Sequence, residues 1–485
     1  VSSEKLPLPL PRLRARADEL ELSAEQMRRL LEAAATRTIA HVESLPRQPS
    51  WATEGGEQLA RSIREELPEE GRPAEELLDL VFEKVIPASL NTAGPGYLAY
   101  IPAGGLFQSA VADFVAQATN RYAGVFSVAP GLVALEANVV RWFCQIVGYP
   151  RESQGILTTG GSLSNFSALV TARRERLPEN FLAGMIYTSD QTHHSVEKAA
   201  MLAGFPHGNV RVIGSDESFR IRVADVEAAI AADRREGRTP FLISANAGTT
   251  NTGAVDDLPA LADLAEREKL WLHVDGAYGG FFALTAEGRR TLAGIERADS
   301  IVLDPHKSLF LPYGTGCLLV RDGPALKRAH ALTAVYLPTM QDDPDQPDFN
   351  LLSPELSREW RGLRVWLPIK MHGIGAFRRA LDEKLALARE AADALRAMPD
   401  IEIVAEPQLS LVAFRANRAE WDVEAANTAN KALLERINAR KRVYLTGTRL
   451  GNRFVLRLCV LSFRTHAEAI RMALEDIRTS MEESR

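Results

Sequence analysis

The stretch "SIVLDPHKSLFLPYGTG", residues 300–316, decides how the chain is read. The apolar run Ile301, Val302, Leu303 feeds straight into Asp304, Pro305, His306 and Lys307. A second apolar run follows, broken by Pro312 and Gly314. The first run has the β-branched character of a buried strand. A lysine at the end of such a strand loses hydration if it stays charged. Two explanations compete. Either Lys307 reaches solvent past the strand end, or its burial is functional and a depressed pKa makes it a nucleophile.

Similar runs recur on either side of it. From about residue 85 to 370, strand-like segments read "GILTT", "GMIYTS", "VRVIG", "PFLISANAG", "LWLHVD", "SIVLD" and "GCLLVR". Helical patterns such as "SLSNFSALVTARRERL" and "VADVEAAIAADRREG" lie between them. This alternation predicts an α/β domain with a mostly parallel sheet. Ligands of such sheets bind beyond the carboxyl ends of the strands, so the informative residues should follow each run.

The flanking regions differ in texture. Residues 1–84 are expected to form a helical dimerisation segment with little core of its own, opening on a proline- and arginine-rich arm. "SAEQMRRLLEAAATRTIAHVESL" has a serine cap and helical apolar spacing. "GGEQLARSIREEL" and "PAEELLDLVFEKVIPAS" predict two further helices. Residues 85–370 are the large α/β domain. Residues 371–485 predict a small α+β domain, with a helix in "RRALDEKLALAREAADALRAMPD" and strands in "IEIVAE", "LSLVAFRA" and "RFVLRLCVLSFR".

Composition narrows the class. The 485 residues are 46% hydrophobic, enough for a large core and more than one domain. With 57 basic and 63 acidic side chains, the net charge of -6 leaves no electrostatic footprint for nucleic acid or an anionic membrane. Cys144, Cys317 and Cys459 are widely separated and form no CxxC pair. That argues against a disulfide framework or a structural zinc site and for a reducing compartment, so a cytoplasmic location is expected. No run reaches transmembrane length, and the first twenty residues lack a signal-peptide apolar core.

Four strand ends carry polar groups. "GILTTGGSLSNFSAL" runs from a strand through Gly160, Gly161 and Ser162 into a helix. Glycines admit a close ligand, and a helix N-terminus offers N–H groups to a phosphate; the plainer reading is a capped tight turn. "MIYTSDQTHHSVEKAA" sets His193 and His194 at a helix start, where an imidazole can stack on a flat ligand or simply face solvent. Adjacent histidines do not share a helix face, so no metal is expected. "LWLHVDGAYGGFF" leaves Asp275 at the end of a very apolar strand, needing either a cationic partner or a turn to cap. "ISANAGTTNTGAVDDL" places Thr249 and Thr250 in a similar turn. Together with Lys307, these are the parts that pyridoxal 5'-phosphate needs: a phosphate cradle, a stacking ring, a partner for the pyridine nitrogen and an amine.

The motifs "GILTTGGSLSN", "TSDQTHHSVEKA", "HVDGAYGG", "LDPHKS" and "FVLRLCVLSFRT" resemble those of the group II pyridoxal-phosphate-dependent amino-acid decarboxylases. The likeness runs from about residue 20 to the C-terminus. It implies a fold-type-I, aspartate-aminotransferase-like enzyme with a mostly parallel seven-stranded sheet. It also implies a homodimer whose active sites lie near the subunit interface. By the resemblance, Lys307 is the Schiff-base lysine, Asp275 the pyridine partner, Ala277 the small residue against the ring and His193 the stacking histidine. Thr250 matches a cofactor-side threonine. Gly161, Ser162 and His306 match phosphate-end positions, and Ser357 in "PELSREWRGL" matches a residue reaching the partner subunit's phosphate. Tyr336, in "ALTAVYLPTMQDDPDQPDFN", matches the loop tyrosine that protonates the substrate carbon. Aldehyde-forming relatives tend to have phenylalanine there.

The resemblance thus implies decarboxylation of an L-amino acid to its amine and CO2. Tyr97, Tyr100, Ile101 and Pro102 in "GPGYLAYIP", with Phe126, form a candidate pocket for an aromatic substrate. The alternatives are an aldehyde synthase, a decarboxylase of acidic amino acids (glutamate, aspartate or cysteine sulfinate), and a catalytically silent structural homologue. Three positions depart from the family pattern: Gly276 stands where alanine is common, Asp304 where asparagine often helps the phosphate, and Ser308 where tryptophan is frequent. A carboxylate at Asp304 would repel a phosphate.

Overall fold

The computed structural model describes residues 20–332, 343 and 345–483. They form two compact units, Val1–Asn91 and Thr92–Arg485.

The first unit is helical. Its long helix, Ala24–Ser44, opens with a reciprocal cap: the Ser23 hydroxyl accepts from the Gln26 N–H, and the Gln26 side chain accepts from the Ser23 N–H. Shorter helices span Gly56–Ser62 and Ala74–Leu80, the latter running into a π-helical turn, Val81–Val85. An ion pair of 2.6 Å joins Arg37 to Asp79. None of these helices buries a residue fully, and Met27, Leu30, Leu31 and Leu77 stay exposed. The small core expected here is what the fold shows.

The second unit is built on a seven-stranded sheet. Its strands are β1 (Gln154–Thr158), β2 (Gly184–Ser189), β3 (Val210–Ile213), β4 (Thr239–Asn246), β5 (Trp271–Asp275), β6 (Ser300–Leu303) and β7 (Gly316–Val320). The spatial order is β1-β7-β6-β5-β4-β2-β3, and only β7 runs antiparallel to its neighbours. Because β7 opposes both β1 and β6, β1 runs in the same direction as β6. The strands are continuous apolar runs because both faces are covered. Ile243, Leu272, Val274 and Ile301 pack into one core cluster with Phe143 and Phe281. Leu242, Trp271 and Val302 pack into another with Ala168 and Leu169 of the helix Gly161–Arg176.

Register aligns the strand ends. Asn246 pairs with Asp275, and Asp275 with Val302. The carboxyl ends of β1, β4, β5 and β6 therefore reach one edge of the sheet.

A smaller antiparallel sheet follows, ordered β10-β11-β9-β8, from β8 (Ile401–Ala405), β9 (Leu411–Ala416), β10 (Thr446–Leu450) and β11 (Arg453–Cys459). The sequence predicts three of these strands. The fourth, β10, pairs with β11 through the two-residue turn Gly451-Asn452, with Gly451 at φ 60°. This is a hairpin connection that "LGNR" encodes and the strand-propensity reading passes over, because "TGTRL" is only weakly apolar. Among the described residues, no helix is long and apolar enough to cross a membrane.

Candidate active site

A cavity of about 270 Å³ opens at the edge where the strand ends meet. Its wall on the β1 side is Thr159 to Leu163, the loop and first turn of the helix Gly161–Arg176. The first N–H groups of a helix lack intrahelical acceptors, so this end offers donors to an anion. There is no room for side chains here. A Cβ on Gly161 would stand 3.0 Å from Asp304 Oδ2, and one on Gly160 would stand 3.2 Å from His306 Cε1.

His306 borders the same end. Its Nδ1 lies 2.6 Å from the Thr315 carbonyl, and burial holds the imidazole below its ordinary pKa despite the carboxylate of Asp304. With a neutral ring, Nδ1–H donates to that carbonyl.

The opposite end is set by Asp275. Its Oδ1 accepts from the Ala277 N–H at 3.1 Å, and its Oδ2 accepts from Asn165 Nδ2 at 3.0 Å. Asn165 is a hub that the sequence reading did not single out, although it stands inside the quoted motif. The same amide nitrogen donates to Ser195 Oγ at 2.8 Å, and Ser195 Oγ lies 2.8 Å from His193 Nδ1. Asn165 Oδ1 lies 2.9 Å from His273 Nε2, and His273 Nδ1 lies 2.8 Å from Ser300 Oγ. Burial lowers the His273 pKa well below its ordinary value, so a neutral ring donates to Asn165 and accepts from Ser300. Trp271 Nε1 donates to Ser300 at 2.8 Å and ends the chain.

Burial likewise lowers the pKa of His193, with Asp275 opposing. A neutral imidazole therefore faces the cavity. His194 leans against it at 4.1 Å between ring centroids and is itself exposed. Ala277 and Thr250 line the cavity, and the Thr250 carbonyl accepts from Arg457.

Lys307 resolves the opening question. It belongs to a short helical turn, Pro305–Ser308, and its side chain is 26% exposed, into the cavity. Nζ lies 3.0 Å from Asp304 Oδ2. Burial pulls its pKa down, but Asp304 and then Asp275 outweigh burial and leave it above the ordinary lysine value. The depressed pKa that the sequence allowed is therefore not found in the cofactor-free chain, and the reason is the neighbouring carboxylate.

The two other departures have structural reasons. Ser308 is fully buried and donates to the Tyr278 carbonyl. A Cβ on Gly276 would meet the Val302 carbonyl oxygen at 3.0 Å.

The remaining candidates lie apart from this cavity in the single chain. Tyr97 is a buried core residue stacked on Tyr444 at 5.9 Å, and burial raises its phenol pKa. Ile101 and Pro102 are buried too. Tyr100 is 55% exposed, at a left-handed φ of 51° that non-glycine residues rarely adopt. Phe126 is half-buried, with its N–H donating to Asp348 at 2.7 Å. Ser357 is exposed. Tyr336 lies outside the described residues. A larger cavity of about 680 Å³, between Trp142, Leu284, Ile369 and Arg378, holds none of the strand-end residues.

A glycine cradle at a helix end, an amine, a neutral imidazole and an anchored carboxylate surround one cavity. They fit pyridoxal 5'-phosphate at its phosphate, its aldehyde, its ring face and its ring nitrogen in turn. Fold and site define a fold-type-I pyridoxal-phosphate enzyme. Comparison with known proteins narrows this. A family profile described as "Pyridoxal-dependent decarboxylase conserved domain" matches residues 56–417. An aromatic-L-amino-acid decarboxylase of Bacillus atrophaeus is 36% identical over 96% of this chain and 98% of its own length. The solved structure of Oryza sativa TDC with PLP and tryptamine superposes with a TM-score of 0.91, at 28% identity over 96% of this chain and 99% of that one. Catharanthus roseus tryptophan decarboxylase, solved with L-tryptophan, gives 0.89 at 27% identity, covering 96% and 99%. The chain belongs to the pyridoxal-dependent decarboxylase family, is a carboxy-lyase, and uses pyridoxal 5'-phosphate.

Proposed function

We propose that the enzyme decarboxylates an aromatic L-amino acid to the corresponding amine and CO2, and that the strand-end cavity is where it does so. The observation that carries the reading is the Asp275–Asn165–Ser195–His193 network facing Lys307 across the cavity. Bound there, pyridoxal phosphate supplies an electron sink for the pair left when CO2 departs. Every other task falls to the chain. Lys307 holds the cofactor covalently and yields its place to the substrate amine. Asp275, fixed by two N–H donors, holds a negative charge where the ring nitrogen lies and keeps that nitrogen protonated. His193, neutral and braced by Ser195, stacks on the ring face and excludes water. Gly161, Ser162 and His306 hold the phosphate, while Ala277 and Thr250 pack beside the ring. Tyr336 gives the proton to Cα.

The substrate class rests on relatives named for aromatic substrates and on the aromatic set Tyr97, Tyr100, Ile101, Pro102 and Phe126. These five do not line the cavity of one chain, so their role requires a homodimer in which the segment 1–84 dimerises and Ser357 reaches the phosphate across the interface. A cytoplasmic location suits three free, buried cysteines. The test is an amino-acid panel assayed for CO2 and amine. Aromatic amino acids should be turned over in preference to glutamate, aspartate and cysteine sulfinate; preference for an acidic substrate would refute the assignment.

A further inference from the structure

Asp304 closes β6 and precedes the turn that carries Lys307. Its side chain is only 2% exposed. Oδ2 lies 3.0 Å from Lys307 Nζ and 3.6 Å from His306 Nε2. Oδ1 is buried and has no hydrogen-bond partner among the described residues. The carboxylate caps no backbone N–H of the turn it precedes. A buried carboxylate with one bare oxygen is costly, and helix capping does not account for it. It stands instead between the amine and the glycine cradle, 3.0 Å from where a Cβ on Gly161 would be.

We propose that Asp304 is a positioning residue for cofactor capture: its carboxylate holds the Lys307 ammonium at the phosphate end of the cavity, and this ion pair must break before Nζ can bond the cofactor. The inference rests on the reading of Lys307 as the cofactor-bearing residue. In the capture step the ammonium first loses one proton to solvent. The neutral Nζ then forms a C=N bond with the aldehyde carbon, and the aldehyde oxygen leaves as water with the two remaining protons. Four charged or titratable groups face the amine: Asp304, Asp275, His193 and His306. Both histidines are held toward the neutral form by burial, so the carboxylates dominate and Asp304 is the nearer. A carboxylate paired with the ammonium keeps the lone pair protonated, so capture is slow at neutral pH and accelerates as pH rises.

The experiment uses cofactor-free full-length protein and follows capture of pyridoxal phosphate, and separately of phosphate-free pyridoxal, by stopped-flow absorbance. Asp304→Asn should capture both aldehydes at least about tenfold faster at neutral pH, the equivalent of one unit of amine pKa, with its rate–pH curve moved to lower pH. Acceleration with pyridoxal phosphate alone would overturn the proposal, because Asp304 would then act by repelling the phosphate. Superimposable curves would overturn it too. If Asp304→Asn does not fold, the unmodified protein decides: its capture rate should climb with pH well past neutrality, and a plateau at or below neutral pH rejects the ion pair. Lys307→Ala separates the two readings. If that variant still forms a borohydride-stable adduct at this site, the assignment of Lys307 fails. If it forms none while Asp304→Asn behaves as wild type, only the role of Asp304 fails.

Discussion

Asn165 Nδ2 donates to Asp275 Oδ2 at 3.0 Å while also meeting Ser195 Oγ at 2.8 Å. One amide thereby fixes the carboxylate at the ring-nitrogen end and, through Ser195, the imidazole that stacks on the ring. Asn165→Ala leaves Asp275, Ser195 and His273 each one partner short. Each buried group so left costs about 1–3 kcal/mol. Urea unfolding should show that loss, and steady-state kinetics should show kcat falling by a larger factor than KM rises. An unchanged kcat would separate Asn165 from the chemistry.

The cradle at the helix end tolerates no side chain. In Gly161→Ala the new methyl would sit 3.0 Å from Asp304 Oδ2 and 3.4 Å from Ala277 Cβ. Overpacking of this kind costs about 1–3 kcal/mol, and here it falls on cofactor contacts. Equilibrium dialysis should show pyridoxal phosphate leaving the variant at concentrations where wild type retains it.

The loop tyrosine decides what happens after CO2 leaves. Tyr336→Phe should slow amine release and divert product to aldehyde, with ammonia and peroxide appearing alongside CO2. Product analysis with and without catalase checks this; an unaltered amine yield would assign the proton to another group.

A buried carboxylate far from the cavity sets part of the acid sensitivity. Asp233 accepts from Tyr187 Oη at 2.8 Å and pairs with Arg211. Burial pushes its pKa up, but the bonds from Arg211 and Tyr187 prevail and leave it below the usual aspartate value. A depressed folded-state pKa stabilises above the unfolded value near 4, and that contribution is lost as pH falls through the folded value. Asp233→Asn should therefore cost about 1–3 kcal/mol at neutral pH and flatten the fall in stability below about pH 4. Denaturant midpoints at neutral and acid pH measure both effects. An equal fall in wild type and variant would place the acid sensitivity elsewhere.

The central fold was legible because each strand is an apolar run ended by glycine, proline or a polar residue. Asp275 and Lys307 announced themselves as polar groups at the ends of such runs. Other features depend on distances that sequence does not carry. The raised pKa of Lys307 follows from a carboxylate placed 3.0 Å away by a short helical turn. The His273–Asn165–Asp275 chain joins three separate motifs, whose alignment requires the registers of β4, β5 and β6. Tyr97 read as a pocket residue because aromatic spacing alone does not say which way a side chain turns; it turns into the core against Tyr444. The hairpin of β10 and β11 was hidden by threonine, glycine and arginine in a strand with little apolar character.

The most direct test of the account is borohydride reduction of the holoenzyme, followed by peptide mapping. Reduction converts the cofactor linkage into a stable amine, so the modified residue can be read by mass. The account predicts one pyridoxyl-phosphate label per chain, on the peptide containing Lys307. A label on any other lysine, or none, would contradict it.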